Sequence, residues 1–169
     1  MKYNILIRVL HWVVAIIVIG LLLTVENRGM LPPELKKNYF YWHKSFGALV
    51  LLLMLTRYFF RQVTTVPPYP DSMKKIEKLA AKIAVYAFYA LLVLMPLSGW
   101  IMSNAAGYPV SMFGIELPTL LEKNKQIKNL ANEAHELIGN GIIILIILHV
   151  LAVVKHAVVE KTNLMKRMW

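Results

Sequence analysis

The sequence predicts an all-α protein: a transmembrane four-helix bundle of up-down topology with both termini cytoplasmic. Three observations predict it. Hydrophobic residues make up 58% of the 169 residues, with mean hydropathy +0.56, where soluble domains hold about 45–50% apolar residues. That excess is concentrated in four blocks, each near the roughly 20 residues that a helix needs to cross a bilayer. The basic residues are shared unequally between alternate connections, as topology requires.

The first block runs from about residue 5 to 25 and contains VLHWVVAIIVIGLLLTV. Lys2 and Arg8 precede and enter it in the manner of a signal peptide. The run is too long for one, shows no clear small-x-small cleavage site and carries His11 and Trp12, so it reads as a retained helix. The second block spans about 41–60 and includes FGALVLLLMLTRYFF. The third spans about 80–102 and includes IAVYAFYALLVLMPLSGWIM; the fourth spans about 137–159 and includes LIGNGIIILIILHVLAVV. Arg57 and Lys155 fall near block ends, where long side chains reach the interface. Pro32–Pro33 and the group Pro67, Pro68 and Pro70 break the first two connections. The third connection is longer, with Gly107, Pro109, Gly114 and Pro118, and its polar part from Glu122 to Glu136 reads as a short surface helix. No internal repeat stands out, so residues 1–169 read as a single domain.

Of the 19 basic residues, 12 fall on the side of the termini and of the second connection, and seven on the other (Arg28, Lys36, Lys37, Lys44, Lys123, Lys125, Lys128). The positive-inside rule then puts both termini in the cytoplasm. The formal charge of +10 is accordingly read as topology and lipid contact, with no nucleic acid as partner. The absence of cysteine excludes disulfides, thiolate catalysis, cysteine-ligated zinc, iron–sulfur clusters and covalently attached haem.

Ionisable side chains at membrane depth are costly and mark function by default. Four histidines occupy such places: His11, His43, His135 and His149. His11 lies about two turns into the first helix and His43 opens the second, which runs the opposite way. His135 and His149 are separated by fourteen residues, about 21 Å along a helix and within about 40° of the same face. Matching depths pairs His43 with His135 on the outer side and His11 with His149 on the inner side. Two imidazoles on opposite faces of one iron porphyrin make a b-type haem with no open iron position, which favours electron transfer. A zinc or copper site is disfavoured, because each depth offers two histidines and no Asp, Cys or Glu to complete the set. Single membrane histidines also serve as interhelical hydrogen-bonding groups. His156, at the cytoplasmic end, reads as an interface histidine, with an inner-ligand role as its alternative.

In chain order, RVLHW, YWHKSFG, LTRYFFR, PLSGW, AHELIGN and LHVLAVVKH together resemble the bacterial cytochrome b561 family over nearly the whole chain. The resemblance implies a di-haem b cytochrome of the bacterial inner membrane. Its haem iron axial ligands would be His11, His43, His135 and His149. It further implies quinone-linked electron transfer and, as in some members, superoxide oxidation with ubiquinone as acceptor. The alternative is a non-enzymatic electron-transfer and anchor subunit of a separate dehydrogenase or hydrogenase, with a redox partner protein. Without haem, the chain would be a structural or transport bundle.

Haem propionates need cationic partners. On the inner side Arg57 is the leading candidate, with Arg8 and Arg61; on the outer side Arg28 and Lys44 are candidates, and both would also steer an anionic substrate. Gly47 and Gly139, each four residues past a histidine, read as clearance for a porphyrin plane or as helix-packing positions. Pro96, Ser98, Trp100 and the segment from Gly107 to Pro118 would floor a quinone pocket beside the outer histidines. Trp12, Trp42 and Trp100 equally fit an aromatic belt.

Overall fold

The structure, a computed structural model, describes residues 1–26, 32–162 and 164–169. Four helices dominate: α1 (Ile5–Glu26), α2 (Pro33–Val63), α3 (Lys75–Ala105) and α4 (Lys125–Val158). Each is long and apolar enough to cross a membrane. Their starts follow local chemistry. The Asn4 side chain accepts a hydrogen bond from the Leu6 amide at 2.9 Å, and Pro33 supplies the first residue of α2. Glu77 accepts from the Lys74 amide at 2.9 Å, and Asn124 accepts from the amides of Gln126 and Ile127 at 3.0 Å each.

The helices outrun their apolar blocks. The stretch from Glu122 to Glu136 does not form a separate surface helix; from Lys125 onward it is the opening of α4. A hydropathy window registers only the part of a helix that lipid must dissolve, whereas the turns beyond it are free to be polar. Likewise α2 runs on to Val63, so Arg57 stands well inside the helix rather than in its last turn.

Val14, Val18, Val50, Met54, Tyr89, Leu92 and Ile142 form the buried core, while side chains such as Ile16, Leu23, Leu137 and Ile144 point outward as lipid-facing residues would. α1 packs along α2, α2 along α3 and α3 most extensively along α4. Among the described residues neither α1 nor α2 packs closely along α4.

At one end of the bundle the long connection forms a hairpin, β1 (Ser111–Met112) paired antiparallel with β2 (Ile115–Glu116). Its two turn residues, Phe113 and Gly114, both have positive φ (52° and 90°), the conformation that matches hairpin twist. Phe113 packs against Phe46 and Trp42 of α2. The fully buried Ser45 donates to the Ser111 carbonyl and accepts from the Phe113 amide, each at 3.2 Å. At the other end the C-terminal 3-10 turn Leu164–Arg167 folds back under α1. The Tyr3 amide donates to the Arg167 carbonyl at 3.1 Å, and the Trp12 indole donates to the Met168 carbonyl at 2.9 Å.

Candidate functional site

The fold brings the four histidines together as two pairs. His43 of α2 faces His135 of α4 with ring centres 6.4 Å apart; His11 of α1 faces His149 of α4, also at 6.4 Å. Each pair bridges helices that do not pack closely along one another.

The surroundings of the pairs differ. The His135 ring lies against α3, where its Nδ1 is 2.9 Å from Ser98 Oγ and 3.1 Å from the Met95 carbonyl oxygen. A carbonyl only accepts, so Nδ1 carries the proton and Nε2 keeps the lone pair. Gly99 makes room for this: a Cβ there would lie 3.1 Å from His135 Cε1. His149 is met by ring edges, those of Phe88 at 5.5 Å and of His11. His11 also touches Trp12 at 5.3 Å, and Trp12 in turn meets Trp169 at 5.7 Å.

The family described as prokaryotic cytochrome b561 matches this chain over residues 2–169. The chain belongs to that family. Relatives include cytochrome b561 homolog 2 of Escherichia coli (strain K12), 28% identical over 99% of this chain and 90% of that protein. The probable superoxide oxidase CybB of Yersinia pestis is 28% identical over 99% of this chain and 95% of its own length. Cytochrome b561 homolog 1 of E. coli (strain K12) is 27% identical over 94% and 92%, respectively.

A cytochrome b561 is a bacterial multi-pass membrane electron-transfer protein that binds haem b, and the residues here fit that group. A metal–imidazole bond of about 2 Å, plus roughly 1 Å from nitrogen to ring centre, puts two axial imidazoles about 6 Å apart centre to centre. Both pairs stand near that spacing. At the level of the His11 pair, the Nε atoms of Arg8 and Arg57 are buried without a hydrogen-bond partner among the described residues, donors that a carboxylate would satisfy. Arg57 turns inward: its Nη1 donates to the Tyr89 hydroxyl at 3.2 Å, and its guanidinium lies 5.4 Å over the Tyr89 ring. Tyr89 is the neighbour of Phe88, which abuts His149. Arg61 instead reaches Tyr3.

The remaining candidates divide. Gly47 faces open space, with nothing within 4 Å of where a Cβ would stand, whereas a Cβ at Gly139 would meet Met95 at 3.3 Å, a packing contact between α3 and α4. Lys44 donates to the Pro109 carbonyl at 3.2 Å and lies 5.7 Å over the Tyr108 ring, so it ties the long connection to α2. Arg28 lies outside the described residues. Ser98 contacts His135 directly, and Trp100 donates to the Pro118 carbonyl at 3.2 Å.

The ring facing His11 is that of His149, and His156 is bonded elsewhere. It is buried, with Nδ1 2.5 Å from a Glu160 carboxylate oxygen. Lys155 pairs with both Glu77 and Glu160, clasping the start of α3 to the end of α4. Hydrogen bonds from Lys155 and then from His156 hold the Glu160 carboxyl below the usual carboxylate range. Glu77, His156 and Glu160 sit close together, and the Lys155 ammonium already pairs with the two carboxylates.

Proposed function

We propose that this cytochrome b561 binds two haems b, with His43 and His135 as axial ligands of one and His11 and His149 of the other. In this reading it oxidises superoxide to oxygen and reduces ubiquinone. The observation that carries the reading is the recurrence of one arrangement at two levels of α4, two imidazoles at 6.4 Å. The superoxide assignment is supported by full-length similarity to the probable superoxide oxidase of Y. pestis.

Haem b would supply one-electron redox chemistry when bound, and the two histidine pairs would hold it. The protein's own contribution is positional. α4 presents two rings on one face, α1 and α2 each present one ring to meet them, and Arg57 and Arg8 offer buried donors for propionates at the His11 pair. The stoichiometry balances when two superoxide anions each give up one electron and one ubiquinone takes two electrons and two protons. Arg28 and Lys44, which the sequence assigns to the same side of the membrane as His43, would raise the encounter rate of the anion.

The test is stopped-flow mixing of superoxide with the purified haem-loaded chain and ubiquinone. Ubiquinol formation at two superoxides per quinone, faster at low salt, is expected. A fully haem-loaded chain that forms no ubiquinol would move the assignment to an electron-transfer subunit of a separate dehydrogenase or hydrogenase.

We also place both termini in the cytoplasm and the chain in the inner membrane, from the 12 basic residues against seven. A reporter active only in the periplasm, fused after Trp169, is expected to stay silent. A strong signal from it reverses the orientation.

A further inference from the structure

We propose that Ser98 is a positioning residue that sets the reduction potential of the haem at the His43–His135 pair, acting through His135. The inference rests on the axial-ligand reading above and adds a residue on a helix that carries no ligand.

Three neighbouring positions of α3 make one bracket for the His135 ring. The Met95 carbonyl and Ser98 Oγ both accept from Nδ1–H, at 3.1 and 2.9 Å. Ser98 Oγ itself donates to the Met95 carbonyl at 2.7 Å, which spends its only proton and turns its lone pairs to the imidazole. Gly99 contributes absence of bulk, because any side chain there would press on Cε1. Ser98 is only 8% exposed, so bulk water does not stand in for its hydroxyl. The sequence PLSGW thus encodes an acceptor, a clearance and, at Pro96, a residue that breaks the regular backbone hydrogen bonding of α3 beside them.

The consequence follows from ligand chemistry. An acceptor on Nδ1–H gives the ring partial imidazolate character and makes Nε2 a stronger donor. A stronger donor favours the ferric over the ferrous state and lowers the potential. The His11–His149 pair is built differently. His149 abuts Phe88 and His11 abuts Trp12, apolar ring edges that exert no such pull. The two haems are thereby made unequal, with the bracketed one shifted downward by Ser98.

The experiment is a potentiometric titration of the purified, haem-loaded chain and of Ser98→Ala and Ser98→Thr, each checked for two low-spin haems. His135→Ala identifies which reduction step belongs to the bracketed haem. Ser98→Ala is expected to raise the midpoint of that step and leave the other in place. Ser98→Thr, which keeps the hydroxyl, is expected to restore it. An unmoved midpoint in Ser98→Ala, or equal movement of both steps, overturns the role of Ser98. If His135→Ala instead retains two low-spin haems, the ligand reading itself fails, and that result is distinct from a Ser98 failure.

Discussion

Replacing His135 by alanine is expected to reduce the chain from two low-spin haems to one. The imidazole is held by α3 through two hydrogen bonds and faces His43 at 6.4 Å. No other histidine of the described residues stands near enough to take its place, since His11 and His149 meet each other and His156 is bonded to Glu160. A five-coordinate haem that remains would be high-spin, and one that dissociates would halve the absorbance per chain; the visible and paramagnetic resonance spectra distinguish these from the parent. Retention of two low-spin haems would remove the pairing. The converse change, His149→Ala, is expected to leave the Ser98-bracketed haem intact.

The second large effect is expected at a residue without a side chain. Gly99→Val places branched carbon where a single Cβ already comes within 3.1 Å of His135 Cε1 and 3.4 Å of Nδ1. The ring is pinned by Met95 and Ser98, so it yields only by giving up those hydrogen bonds. Overpacking of this kind costs about 1–3 kcal/mol. A lowered melting midpoint is expected together with selective loss of the haem at the His43–His135 pair. Gly141→Ala, where a Cβ meets Leu91 at an ordinary 3.7 Å, is the control that should change neither. A Gly99→Val chain that melts and absorbs like the parent would show that the close approach is not needed.

What the sequence discloses depends on which constraints act along the chain and which act across it. Membrane crossing imposes a long apolar run, so the four helices are visible in composition, and their polar extensions, such as Lys125 to Glu136, are not. The meeting of His135 with His43 and of His149 with His11 follows from spacing on one helix combined with alternating direction. The contact of Ser98 and Gly99 with His135 depends on the rotation of α3 about its axis, which hydropathy does not fix in a helix apolar nearly all round. Gly139, readable as porphyrin clearance or as a helix-packing position, meets Met95, a packing contact. The hairpin held by Ser45 has a two-residue Phe113–Gly114 turn without the usual Asn-Gly signature, and Lys44, read from sequence as a propionate partner and steering cation, also contacts Tyr108 and Pro109, which the sequence does not disclose.

α4 runs unbroken from Lys125 to Val158 and carries one member of each histidine pair. The helix therefore acts as a ruler. Thinning of the bilayer or tilting of the bundle moves both marks together and leaves the interval between them unchanged. In the two-haem reading proposed above, an interval set by the rise of one helix would keep the separation of the two redox centres steady against the motions of the lipid. Partner helices would then be free to vary in how they approach, because the spacing of the two proposed haems would be written into the length of a single helical segment.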